Sequence, residues 1–371
     1  MTHDSLLNEL WTTTLTRLGG ETRIATLARE TRAFLRPREI KSPNDLLRII
    51  LAYCLGGMGL RSTSAWAASI GLADLSNVAL LGRLQNSTAW MLRLVEELLA
   101  ANSAAAHAAA RGRPVRLLDG TLVPKASVKA RQSGELWRIH AVFDLPSERF
   151  SHFELTDEKE AEHLERGPVV AGEIRIADRG TMSTERLAAV IAQGADVIVR
   201  SGWRRAKWLD VGGTKLDLIA TLEAAAGAGR IDRPIGLART GAAPLRLRMV
   251  AIRKPPAARE ESRRVARHEA SKENAKIGSG TLVAAEWMIL VTSLPADAFP
   301  AEAIADLYQS RWRIEMAFKR LKSLIGLGGP PGQDTAVAKT WILAHLLMIL
   351  LLEPHTSAPR WCAAVSPRLA A

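Results

Sequence analysis

Apolar residues recur at helical spacing through roughly the first 110 positions. Leu46, Leu47, Ile50 and Leu51 share one helical face, and so do Trp90, Leu92, Val95 and Leu98. Ser42 before Pro43 and Asn44 reads as a helix start, with proline in the first turn where its missing N–H costs nothing. The Ala-rich run Ala101–Ala110 carries a last helix into a loop at Arg111–Pro114, the expected domain boundary. From Val115 the pattern changes. VRLLDG (115–120) is a short apolar run ending in an acid and a glycine. WRIHAVFD (137–144) alternates, with Ile139, Ala141 and Phe143 on one face, and FSHFELTD (150–157) is strand-like. EKEAEHLERG then has helical character, EIRIADRG (173–180) is a strand ending in Asp-Arg-Gly, Ser183–Gln193 is a helix and DVIVR (196–200) a strand. Three strands, helix, strand, helix, strand is a mixed α/β order.

Farther on, PLRLRMVAIRK (244–254) and WMILVTSLP (287–295) read as strands. ARHEASKENAKIGSG (266–280) is charged and helix-like before a Gly/Ser loop. Phe299–Leu324 is expected as one long helix and Ala336–Leu352 as another. The most apolar run, Trp341–Leu352, is about 12 residues and contains His345, whereas a membrane span needs about 20. It reads as a buried helix, and no membrane partner is expected. MTHDSLLNEL has neither the basic nor the apolar region of a signal peptide. Cys54 and Cys362 are too few for a disulfide scaffold or a Cys-rich zinc site and fit a reducing cytoplasm. His140, His152 and His163 have no metal-ligand spacing and read as structural or surface residues.

Charge sharpens this picture. The chain of 371 residues carries 50 Lys+Arg and 38 Asp+Glu, a net +12. Residues 203–276 hold 17 basic and 8 acidic residues, a net +9. So local an excess is hard to attribute to bulk solubility and points to an acidic partner, most simply nucleic acid.

Candidate chemistry sits on carboxylates. Asp119 and Asp178 are each expected at the C-terminal end of a strand and followed closely by glycine. Strand ends gather functional groups, and carboxylates there can coordinate Mg²⁺; Asp-Gly is also a common turn dipeptide. On the long helix, Tyr308, Arg311, Glu315 and Lys322 fall within about 60° of arc. That face presents a phenol, two cations and a carboxylate, with Trp312 and Phe318 directed elsewhere, toward the core. A solvated charged face is the alternative, weakened by Ile314 and Leu321 nearby. Three carboxylates spread this far apart suit phosphoryl transfer, in which two Mg²⁺ ions activate the attacking oxygen and stabilise the leaving one.

The chain resembles the insertion-sequence-four family of DDE transposases. LLDGT (117–121), IADRG (176–180) and Tyr308-x₂-Arg311-x₃-Glu315-x₆-Lys322 carry the resemblance, the last matching the family's Y-R-E-K signature in residue and spacing. The resemblance implies an RNase H-like core, with Asp119 on the first strand, Asp178 on the fourth and Glu315 on a late helix. That core is interrupted by a β-rich insertion domain and preceded by a helical N-terminal domain. The expected boundaries are 1–110 for the helical domain, which would contact the DNA end, 111–200 and 286–371 for the two parts of the core, and 201–285 for the basic insertion. Asp119, Asp178 and Glu315 would bind two Mg²⁺ ions, with Mn²⁺ as a substitute. Tyr308, Arg311 and Lys322 would orient phosphates. Trp287 matches the family's base-stacking tryptophan, and a core tryptophan at a strand end is the equal alternative. The implied partners are double-stranded DNA, as terminal inverted repeats and as target, and a second copy in a synaptic dimer. The rival functions are a metal-dependent nuclease without strand transfer, a DNA-binding remnant or repressor, and more distantly a glycan hydrolase using paired carboxylates.

Overall fold

The computed structural model describes residues 11–109, 112–126, 134–272, 274, 276–323 and 326–356. The first part is helical, as its periodicity predicts: α1 (Gly20–Glu30), α2 (Pro43–Leu55), α3 (Leu60–Ser69), α4 (Asn77–Gln85) and α5 (Thr88–Ala109). Ser42 caps α2 as expected. Its hydroxyl accepts from the Asp45 N–H at 3.1 Å while the Asp45 carboxylate accepts from the Ser42 N–H, a reciprocal capping box with Pro43 in the first turn.

A single mixed sheet follows, built from β1 (Val115–Pro124), β2 (Leu136–Asp144), β3 (Arg149–Asp157), β4 (Ile174–Ala177), β5 (Asp196–Arg200), β6 (Trp208–Leu209), β7 (Arg230–Leu237), β8 (Leu245–Arg253) and β9 (Trp287–Thr292). Its order is β3-β2-β1-β4-β5-β9-β8-β7-β6. β1, β4 and β5 run parallel, and every other pairing is antiparallel. The helices of this half are α6 (Thr184–Ala192), α7 (Leu218–Ala224), α8 (Pro256–Lys272), α9 (Ser279–Ala285), α10 (Ala301–Gln309), α11 (Trp312–Ser323) and α12 (Thr335–Thr356).

Alternation along the strands sends side chains to two cores. Ile139, Ala141 and Phe143 of β2 join a large cluster with the N-terminal helices and α12, whereas Val142 joins a second with α6 and β7–β9. The apolar stretch Thr335–Glu353 is long and apolar enough to cross a membrane, but 72% of it is buried within the protein, against α2, α4 and α5.

Two helical expectations change, and the expected insertion interval gains detail. Residues 158–167 form turns rather than a helix. Arg175 of β4, fully buried, donates to the carbonyls of Leu164 (2.7 Å), Arg166 (3.0 Å) and Pro168, so backbone that a helix would satisfy internally is satisfied across the fold. The interval 201–285 contains β6, β7, β8 and three helices, and its strands extend the main sheet through β9. Its three strands are compatible with the β-rich character expected of this interval. Pro234 lies beyond the short reach of β6, which pairs only with Gly236 and Leu237, so this edge of β7 is open beside it. Finally, the expected helix 299–324 is two helices. The chain breaks at Ser310 and Arg311, where the Ser310 hydroxyl bonds the Leu307 carbonyl at 2.6 Å.

Candidate active site

Asp119 is not at a strand end. β1 runs five residues beyond it, pairing with β2 through Pro124. The parallel ladder with β4, however, ends at Leu118↔Ala177. Asp119 and Asp178 are therefore the next residues on two adjacent strands, at the point where β4 leaves the sheet and β1 continues. Neighbouring strands are about 4.8 Å apart, so the two carboxylates are set side by side by register alone.

The broken helix brings the remaining groups across. Tyr308, in the last turn of α10, donates to Asp178 Oδ1 at 3.1 Å. Arg311, at the break, donates from Nη1 to Asp119 Oδ2 at 3.3 Å and pairs through Nη2 with Glu315 on α11. Arg200, ending β5, reaches Asp178 Oδ1 at 3.9 Å. The single-helix geometry expected for Tyr308, Arg311, Glu315 and Lys322 does not hold, yet the first three converge on the two aspartates. Lys322 is exposed on α11, and with Lys319, Glu315, Asp119, Gly120 and Thr121 it lines an open concavity of about 490 Å³. Aromatic packing fixes α11 in this place: Phe318, one turn after Glu315, lies 5.9 Å from the Phe150 ring on β3.

The two aspartates differ electrostatically. Burial pushes the Asp119 carboxyl up to about 6, aided by Glu162 and Glu315 and opposed by the Gly120 N–H and Arg311. Burial also works to raise Asp178, but the Arg179 N–H, Arg311, Arg200 and the Tyr308 hydroxyl outweigh it and hold the carboxyl below its usual range. Burial, then the Asp178 charge, pushes the Tyr308 phenol up to about 12, so it stays protonated and acts as a donor.

Carboxylates at a strand edge form a hard-oxygen donor set that suits a divalent cation. Among the described residues, no three of them close around one point. The Arg311 guanidinium lies between Asp119 and Glu315 and pairs with both. The fit is supported by a space beside Asp119. A Cβ built on Gly120 would stand 2.7 Å from a carboxylate oxygen of Glu162, so this strand residue leaves room for a further acid. Glu162 lies in the turns of 158–167, where a helix was expected, and the glycines that follow both aspartates are the sequence feature beside it.

Of the two readings held for Trp287, base stacking and a core tryptophan at a strand end, its burial favours the second, whereas Trp312 departs from expectation. Trp287, at the start of β9 opposite Arg253, is 4% exposed in the second core and presents no free face for stacking. Trp312, expected to face the core, is 55% exposed with the Arg313 guanidinium 5.7 Å from its ring. It opens α11 just ahead of the buried stripe Ile314, Ala317, Phe318 and Leu321. His140 is buried and bonded to Thr156 at 2.9 Å, in keeping with a structural role.

Residues 110–351 match the family described as "Transposase DDE domain". The chain is 38% identical over 348 residues to the putative transposase InsL for insertion sequence element IS186A of Escherichia coli strain K12, covering 92% of this chain and 93% of the relative. It is also 38% identical over 349 residues, with the same coverage, to the transposase for insertion sequence element IS421 of Escherichia coli.

Proposed function

The chain belongs to the DDE transposase family, in keeping with its insertion-sequence-four signature, and we propose that Asp119, Asp178 and Glu315 are the carboxylates with which it cuts and joins DNA. The observation that carries this reading is the register of β1 and β4, which sets Asp119 beside Asp178 while Arg311 ties Glu315 to them. The family implies a divalent metal. Mg²⁺, or Mn²⁺ in its place, would be held by these three acids and would supply activation of the attacking oxygen and stabilisation of the leaving one.

The side chains around them have separate tasks. Tyr308 holds Asp178 in orientation through its hydroxyl and, staying protonated, is no nucleophile. Arg311 keeps the acids together before DNA arrives and can turn to a phosphate, the anion its planar fork suits. Lys319 and Lys322 flank the concavity where a phosphodiester would lie against Asp119 and Glu315. Water cleaves at the element end, and the freed 3′-OH then attacks the opposite strand or target DNA.

We read β3-β2-β1-β4-β5 as an RNase H-like core, which its parallel centre and antiparallel flank support. On this reading, β6–β9 with α7–α9 are an insertion fused to its edge, which moves its end from the expected residue 285 to beyond β9. Arg204, Arg205, Lys207, Lys215 and Lys272 there are exposed and in no ion pair among the described residues, which suits a phosphate backbone. The N-terminal helices offer a second cationic groove, between the segment carrying Arg32, Arg36 and Arg38 and the α4 residue Arg83, as a seat for the terminal inverted repeat. A dimer would hold two ends in a synaptic complex.

Pre-cleaved ends incubated with target DNA and Mg²⁺ test strand transfer directly. Joined products are expected. Cleavage of intact ends without joining of pre-cleaved ones would identify a nuclease instead.

A further inference from the structure

Gly120 and Gly180 each stand just after an aspartate of the site, and neither has a positive φ that would demand glycine. Gly120 lies inside β1, where glycine weakens a strand. What both positions share is a neighbour. A Cβ on Gly120 would stand 2.7 Å from Glu162 Oε1, and one on Gly180 would stand 3.3 Å from Glu162 Oε2. The Glu162 carboxylate thus lies across the two backbones that present Asp119 and Asp178, in space that a Cβ on either glycine would crowd.

That carboxylate is held from behind. Arg138 of β2 donates to Glu162 Oε1 at 2.5 Å and to the Glu158 carbonyl at 3.3 Å. The segment carrying it has other anchors. Arg175 binds the carbonyls of Leu164, Arg166 and Pro168, Arg166 pairs with Glu154 at 2.7 Å, and Arg186 pairs with Glu165 at 2.6 Å. Fastening the segment therefore does not explain why an acid lies beside Asp119, against the backbones of Gly120 and Gly180. Glu162 is also partly accessible, 20% exposed at its side chain, so a solvated ion can reach it.

We propose that Glu162 is a fourth carboxylate of the cation-holding centre, placed over the two aspartates by the Gly120–Gly180 cradle and braced by Arg138. The proposal rests on the reading of Asp119 and Asp178 as metal-holding acids. It assigns to the segment between β3 and β4 a direct part in holding the divalent ion. The two glycines then have one function, to let that carboxylate close on the site.

The test is a Mn²⁺ titration of the full chain without DNA, followed by electron paramagnetic resonance, with melting temperature in EDTA as a second readout. Asp119→Asn serves as the reference. Glu162→Gln is expected to weaken Mn²⁺ binding at least tenfold while its metal-free melting temperature stays near wild type. Gly120→Ala keeps every carboxylate but displaces the end of the Glu162 side chain, and it is expected to weaken binding by a smaller factor, about threefold or more. A merely structural role would lower the melting temperature of Glu162→Gln and leave Mn²⁺ affinity untouched, overturning the proposal. If Glu162→Gln does not fold, unaltered affinity in Gly120→Ala overturns it equally. Weaker binding in Asp119→Asn with none in the other two variants sinks this proposal alone. Unaltered binding in Asp119→Asn sinks the underlying assignment of the acids.

Discussion

At the scale of single residues, burial shifts the titratable groups, and the charges around each decide in which form it is held. His140 is an example. Burial, then the Arg166 charge, pushes its imidazole down to about 4 from an ordinary 6.5, and His152 shifts in the same direction. Between pH 6.5 and 4 the unfolded chain takes up a proton that folded His140 refuses. The contribution of neutral His140 is fully present above 6.5 and is lost as pH falls toward 4, by up to about 3 kcal/mol. Urea unfolding at pH 7 and pH 4.5 should show this loss, and His140→Gln should reduce it. An imidazole that titrates near 6.5 by NMR in the folded protein would contradict it. The spacing of the three histidines already argued against a metal site. Their low proton affinity could not be read from sequence, because it comes from strands that meet only in the fold.

At the scale of elements, short-range signals were legible and long-range ones were not. The cap at Ser42 and the alternation of β2 depend on near neighbours, and both appear as expected. Ser42→Ala should cost about 1 kcal/mol, measurable as a lower unfolding free energy with an unchanged denaturant slope. The break at Ser310 and Arg311 was hidden, because helical spacing continues through it. So was the turn structure of residues 158–167, whose carbonyls are taken by the distant Arg175. The helix break sets the geometry of the candidate site. It turns Tyr308 toward Asp178 and Arg311 toward Asp119, while Phe318 on Phe150 fixes the helix bearing Glu315. Phe318→Ala should cost roughly 3–5 kcal/mol of stability. It should also lower cleavage at temperatures where the variant remains folded, because Glu315 loses its support. A folded variant with full activity would show that α11 is held by other contacts.

At the scale of the whole molecule, the basic segment 203–276 and the strands bearing the aspartates share one continuous sheet through β9, β8 and β7. The net +9 of residues 203–276 overstates the free charge there. Arg230 pairs with Glu302, Arg239 with Glu185, and Arg253, Arg259 and Arg263 with Glu286, so acids outside the segment neutralise several of its arginines. The Y-R-E-K signature was sufficient to identify the family, and the register of β1 and β4 supplies a physical reason for two of its acids to meet. Salt-dependent DNA binding and metal-dependent chemistry should therefore separate by mutation. The most direct measurement is cleavage of DNA carrying the native element ends, with Mg²⁺, by wild-type protein and by Asp119→Asn, with end binding measured in parallel. The acids are predicted to supply several kcal/mol of transition-state stabilisation, so Asp119→Asn should bind the ends normally and cleave them at least about 10³ times more slowly. Cleavage by Asp119→Asn at the wild-type rate would contradict the account.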